Sequence, residues 1–193
     1  DVDTTALLGA QVMRLFARHK WPTTVAEQEA LWQPMIESFQ EIADYAATKG
    51  VQVAVQNHNN GSFAMNAVQV LRILREVQRP NFSYLLDTGQ WQGGIGSDPR
   101  GESDPAIDLY KDYLEPTAPH ATYVRAKIYK VDSGREEWLD YERILQILRE
   151  GDFNGTIGLV FELGKRNSCT DEECRRLAVA HLRDVIANSA RKD

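Results

Sequence analysis

What the 193-residue chain lacks narrows its function first. No apolar run approaches the roughly 20 residues that a membrane-spanning helix needs, so no membrane partner is expected. No basic stretch followed by an apolar one opens the chain, and nothing in it signals secretion. Cationic residues are not in surplus: 22 Lys and Arg stand against 28 Asp and Glu, for a net charge of −6. Nucleic-acid backbones are held by clustered cations, so no nucleic-acid partner is expected either. Blocks of like charge are also missing. The 26% of charged residues are interspersed with 42% hydrophobic ones, which excludes extended disorder and supplies a core.

Cysteine is scarce as well, with only Cys169 and Cys174 in NSCTDEEC. A redox pair or a partial metal site is one reading. The other starts from Thr170 and Glu173, which form a capping box opening the last helix and put Cys174 on its apolar face. A free cysteine there behaves as a small hydrophobe. That second reading is the expectation, and with it a cytoplasmic location.

What is present is alternation of strand and helix. A short helical segment at 3–8, ended by Gly9, precedes a strand over 10–17. Thr24 and Glu27 make a capping box for a helix running to Lys49 with Gly50 as its stop. Pro34 should kink or split that helix. A strand at 51–57 leads to a helix capped by Asn66 and Gln69, with Val70, Leu71, Leu74 and Val77 inward and Pro80 closing it. A strand at 82–87, a long loop over 89–103 and a helix from Asp104–Pro105 to about Glu115 follow. Strands at 122–128 and 156–162 each precede a helix, at 141–150 with Asp140 as cap and at about 171–191. Five βα units in one domain over 1–193 imply a parallel sheet with helices outside it.

Four strands end in polar groups: Gln56 to His58, Asp87, Arg125 to Lys127, and Glu162. The positions 56, 87, 125 and 162 are 31, 38 and 37 residues apart, about one βα repeat. In a parallel βα barrel the carboxyl ends of successive strands face one another across the mouth, where active sites are built.

The order of strand–Q-N-H, strand–D-T-G, strand–R-A-K and a last strand ending in Glu resembles the sugar phosphate isomerase/epimerase family. These are the xylose-isomerase-like TIM barrels, which also include metal-dependent DNA-repair endonucleases. AKIYKVDSGREEWLDYERILQILREGDFNGTIGLVFE is especially similar to that family's C-terminal region, and the likeness covers nearly all of residues 5–190. The fold it implies is α/β, a partial (β/α) barrel made of the later five of eight units. About three amino-terminal units would be lacking, consistent with a chain that does not begin with Met. Five strands cannot close a normal barrel. The two bare strand edges should then be covered by a missing segment or a homo-oligomer contact.

The family's four strand-end ligands, Glu, Asp, His and Glu, hold one divalent metal, and its first and last Glu move protons. The corresponding residues here are Gln56, Asp87, Arg125 and Glu162. An Asp87 motif of this kind continues to a His where this chain has Gln90. A guanidinium has no lone pair to give a metal, and an amide is a weak ligand. Mn²⁺ or Mg²⁺ held by Asp87 and Glu162 is thus possible in kind but disfavoured, and no cofactor is the expectation. Arg125 between Asp87 and Glu162 would take the cation's place, as organiser or simply as a salt bridge. Gln56 cannot act as a base, which leaves Glu162, His58 and Lys127 for proton transfer. Arg14, Gln56, Gln90 and Trp91 are the candidate substrate contacts. Trp91 and Trp21 could stack on a sugar or pack under a lid. The glycines of GQWQGGIG lack the strand–helix context of a phosphate fingerprint and read as a flexible lid. His120 and His181 read as structural.

The resemblance implies proton transfer next to a carbonyl of a sugar or sugar phosphate, with Glu162 as base and Arg125 stabilising the enolate. A non-catalytic carbohydrate-binding barrel is the alternative.

Overall fold

A computed structural model describes residues 1–17, 24–59, 61–95, 103–162 and 166–189. Five strands alternate with helices: α1 (Val2–Leu7), β1 (Val12–Phe16), α2 (Val25–Ala47), β2 (Gln52–Gln56), α3 (Ala67–Val77) and β3 (Phe82–Asp87). A π-helical segment (Leu109–Leu114) then runs into α4 (Glu115–Thr117), followed by β4 (Ala121–Ile128), α5 (Tyr141–Glu150), β5 (Thr156–Phe161) and α6 (Asp171–Ser189). The sheet order is β1-β2-β3-β4-β5, every pair parallel. Neighbours in sequence are neighbours in space, as in a βα barrel, and the five strands form a half-barrel with helices outside. Among the described residues no helix is long and apolar enough to cross a membrane.

Alternation along each strand sorts the side chains. Leu15, Val55, Tyr84, Leu86, Val124, Ala126, Ile128, Leu159 and Phe161 belong to the apolar layer under the helices. The other face carries Arg14, Gln56, Asp87, Arg125, Lys127 and Glu162, and it is the concave side. Fully burying each large apolar side chain of the outer layer contributes about 1.5–3 kcal/mol.

Local signals behave as their chemistry dictates, with four corrections. Thr24 and Glu27 form the expected reciprocal box, at 3.2 and 3.1 Å. Pro34 sits inside α2 without splitting it, because a proline removes only one hydrogen bond from a helix of 23 residues that is also held by packing of Trp32, Ile36 and Phe39. In α3 the fully buried face is Val70, Ile73 and Val77, while Leu71 and Leu74 are only half-buried. The helix expected from Asp104 begins instead after Asp108, whose carboxylate accepts from the Tyr110 and Lys111 amides. Asp104 closes a local turn by accepting from the Ala106 amide at 2.9 Å.

The fourth correction concerns the cysteines, which are not free: Cys169 and Cys174 form a disulfide, with Cα atoms 5.7 Å apart. Thr170 and Glu173 do form the capping box. That geometry puts Cys169 just before the cap and Cys174 at the fourth helical position, the pair that a hydrophobic staple brings together. The spacing suits a covalent bridge.

Candidate functional site

Two polar networks sit side by side at the carboxyl ends of β2 to β5. The first is centred on Asp87, which is fully buried. Its Oδ2 accepts from Gln56 Nε2 at 2.9 Å and its Oδ1 from the Gly89 amide at 3.2 Å. Arg125 Nη1 lies 3.4 Å from Oδ2 and donates to Gln56 Oε1 at 2.9 Å. Arg14 Nη1 donates to the same Gln56 oxygen at 3.3 Å. Gln56 therefore bridges one carboxylate and two guanidiniums. Burial pushes the Asp87 carboxyl up to about 6, although the charges of Lys127 and Arg125 pull it down.

The second network is the Lys127–Glu162 ion pair between β4 and the residue after β5. Lys127 is buried and Glu162 about one-third exposed. Arg125 thus pairs with Asp87 rather than standing between Asp87 and Glu162, and the register explains why. Asp87 lies level with Arg125 on adjacent strands, and Lys127 lies level with Val160, two residues before Glu162. Each carboxylate meets the cation nearest its own level.

The D-T-G turn has a separate part for each residue. Asp87 points into the mouth. Thr88 Oγ1 accepts from the Lys127 amide at 3.0 Å and contacts the Tyr141 hydroxyl at 3.1 Å, which ties β3 to β4 and α5. Tyr141 also donates to the Lys127 carbonyl. Gly89 leaves room for Tyr129, whose ring a Cβ at 89 would meet at 2.7 Å and whose hydroxyl donates to the Gly89 carbonyl.

Two residues absent from the sequence-derived candidates hold this floor together. Asn57 is completely buried and saturated. It donates to the Asp87 and Gln90 carbonyls and accepts from the Tyr84 hydroxyl at 2.7 Å and the Asp87 amide at 2.8 Å. An amide directly after a strand end was the signal available for it. Glu136 is buried in the loop after β4 and accepts from the amides of Tyr129, Lys130, Trp138 and Leu139. Burial nevertheless raises its carboxyl above the ordinary range.

The other candidates fall in different places. His58 is buried beside the mouth, edge-on to Phe16 at 5.6 Å, and its amide donates to the Ala64 carbonyl. Gln90 is buried, and its Oε1 has no partner among the described residues. Trp91 is wholly buried and stacked on Tyr113 at 4.9 Å. Its ring face is already covered, so it packs beneath the loop instead of facing a ligand. Arg14 is exposed, with its guanidinium over the Phe16 ring at 4.7 Å. His181 packs edge-on to Tyr141, and His120 lies just before β4, away from the mouth. Trp21 lies outside the described residues.

A divalent metal needs several oxygen or imidazole ligands. Among the described residues no three His, Cys, Asp or Glu side chains come together to hold one. Asp87 faces a guanidinium and Glu162 an ammonium, and those fixed charges stand where a cation would have to sit. The donor set does not fit the metal that the family resemblance implies.

Comparison with solved structures returns the same architecture. D-allulose 3-epimerase from Methylomonas sp., in complex with D-allulose, superposes with a TM-score of 0.67 at 19% identity, over 96% of this chain and 65% of that one. D-psicose 3-epimerase with D-tagatose from Clostridium cellulolyticum H10 gives 0.67 at 13%, over 96% and 67%. An AP endonuclease of family 2 from Brucella melitensis gives 0.60 at 20%, over 82% and 59%. The chain thus spans about two thirds of the length of these proteins. No curated protein matches it in sequence. The family model for the xylose isomerase-like TIM barrel matches residues 1–185. A half-barrel of five sequential parallel strands, matched by that model over nearly its whole length, belongs to the xylose isomerase-like TIM barrel family.

Proposed function

We propose that the mouth binds a carbohydrate and moves a proton on a carbon next to its carbonyl, with side-chain cations doing what a metal would otherwise do. The observation that carries this reading is the pairing of Arg125 with Asp87 and Gln56 next to the Lys127–Glu162 pair. Glu162 is partly exposed and paired with Lys127, and it is the mouth carboxylate that acts as the base. It takes the proton from the C–H bond, and the bonding electrons move onto the carbonyl oxygen. Arg125, held in place through Gln56, offsets the negative charge that develops there. Gln56 cannot serve as a second base, so the proton returns from the same side. Transfer between neighbouring carbons on one face suits that arrangement better than inversion at one carbon.

A non-catalytic carbohydrate-binding role is the second reading. It is favoured by the fact that both mouth carboxylates already have cationic partners. The test is solvent deuterium incorporation into a panel of ketoses and aldoses in D₂O with a chelator present. Incorporation beside the carbonyl supports proton transfer, whereas binding without incorporation supports the second reading.

A further inference from the structure

Two devices close the same turn at the start of α6, and one of them depends on redox state. Thr170 and Glu173 form a reciprocal box, the Glu173 amide donating to Thr170 Oγ1 at 3.3 Å and the Thr170 amide to Glu173 Oε2 at 3.0 Å. The Cys169–Cys174 disulfide spans the same residues, with a sequence separation of 5. For starting the helix the box is sufficient. As a constraint on the unfolded chain the bridge is weak, because that effect grows with the length of the loop closed. What the bridge alone adds is a covalent tie between Cys169, outside the helix, and Cys174, which sits in the core.

Cys169 is the end of a strap. Residues 166–169 lie across the loop that follows β4 and are held there by hydrogen bonds. Asp132 Oδ1 accepts from the Ser168 amide at 2.7 Å, the Ser168 hydroxyl at 2.9 Å and the Cys169 amide at 3.2 Å. The Asn167 side chain accepts from the Val131 amide and donates to the Tyr129 carbonyl, both at 2.8 Å. Tyr129 in turn donates to the Gly89 carbonyl in the turn that carries Asp87. The strap thus braces the wall of the mouth, and the β5–α6 connection to which it belongs begins at Glu162.

The two cysteines differ in access: Cys174 is buried, whereas Cys169 is partly exposed. Exchange with an external dithiol therefore enters at Cys169 Sγ. A thiolate of the dithiol bonds to that sulfur, the Cys169–Cys174 bond breaks, and Cys174 leaves as a thiolate that takes up a proton. The second thiolate of the dithiol then closes onto the first sulfur of the dithiol and frees Cys169, which is protonated in turn. The protein gains two electrons and two protons, and the dithiol becomes a disulfide.

We infer that the Cys169–Cys174 bridge is a redox-operated latch, which holds the 166–169 strap against the mouth wall when oxidised and releases it when reduced. Its effect on turnover rests on the proposed reading of Glu162 as the base; the release itself does not. Reduction leaves the capping box and the core position of Cys174 in place, so α6 stays folded and only the strap loosens.

The test is amide hydrogen exchange read by mass spectrometry on the full chain, oxidised or after millimolar dithiothreitol without denaturant. The bridge should open under those conditions, with exchange roughly tenfold or more faster at Val131, Ser168 and Cys169 and unchanged from Ala178 to Val185 within α6. Cys169→Ser should show the fast pattern with or without dithiothreitol. Cys174→Ala, which keeps a small apolar group in the core, is the second variant and should behave the same way. Equal exchange in the oxidised and reduced chains, loss of protection throughout α6, or a bridge that opens only in denaturant overturns the latch. Solvent deuterium incorporation into the ketose and aldose panel, measured in both redox states, tests the link to Glu162. Reduction should slow incorporation several-fold by shifting the base. Incorporation at one rate in both states, with the strap loosened, overturns control over the mouth. Incorporation in neither state removes the proton-transfer reading, while fast strap exchange on reduction still upholds the latch.

Discussion

Gln56 Nε2 donates to Asp87 Oδ2 at 2.9 Å while the Gln56 carbonyl receives Arg125 at 2.9 Å. Only an amide can do both. A carboxylate at 56 would face Asp87 with like charge and would need a shared proton or a cation between them. A histidine at 125 would leave Asp87 buried without its guanidinium. The amide at 56 and the guanidinium at 125 are a matched pair of departures from the ligand set that the family resemblance implies, and each makes the other tolerable.

That relationship makes the mouth convertible. Gln56→Glu together with Arg125→His would put Glu, Asp and His on neighbouring strands with Glu162 beside them. The double variant should bind Mn²⁺ stoichiometrically by calorimetry, under conditions where the wild-type chain and either single variant do not. Equal Mn²⁺ binding by the wild-type chain would contradict the view that Arg125 excludes the metal.

Asp87 should leave a mark on the pH dependence of stability. Burial raises its carboxyl from 3.8 to about 6 in the folded chain, so the folded state holds this proton more tightly than the unfolded one. Its stabilising contribution is complete below the unfolded value and is lost as pH rises through about 6. The size is on the order of 3 kcal/mol. Urea unfolding of the wild-type chain should therefore lose stability between about pH 4 and 7 relative to Asp87→Asn, which has nothing to titrate. Parallel profiles for the two proteins would count against it.

Gly89 is required by its neighbour, not by its own backbone. Tyr129 is buried and stacked on Trp138 at 5.5 Å, so its ring has nowhere to go. Gly89→Ala should cost about 1–3 kcal/mol in urea unfolding. Most of that cost should vanish in a Tyr129→Leu background, and strictly additive effects in the double-mutant cycle would exclude the collision as the cause.

The fold was legible because its signals are local and repeated. Caps at Thr24, Asn66, Asp140 and Thr170 mark helix starts, and period-2 strands recur once per βα unit. The same spacing brought Gln56, Asp87, Arg125 and Glu162 to one region. Their pairing was not legible, because it depends on register: Arg125 lies three residues inside β4, level with Asp87, and so meets it instead of Glu162. Asn57 and Glu136 were missed for a related reason, since their partners are backbone groups that only tertiary structure brings near. The disulfide could have been anticipated. The capping box that argued for a free Cys174 is the same geometry that brings Cys169 against it.

The most direct measurement is solvent deuterium exchange into a sugar in D₂O with EDTA, with and without added Mn²⁺, for the wild-type chain and Arg125→Gln. The expected result is exchange in EDTA that Mn²⁺ does not increase and that Arg125→Gln lowers by about 10²–10³-fold, the size of losing one preorganised donor to a developing oxyanion. Exchange that appears only when Mn²⁺ is supplied, or that survives Arg125→Gln undiminished, would contradict the assignment of the metal's role to Arg125.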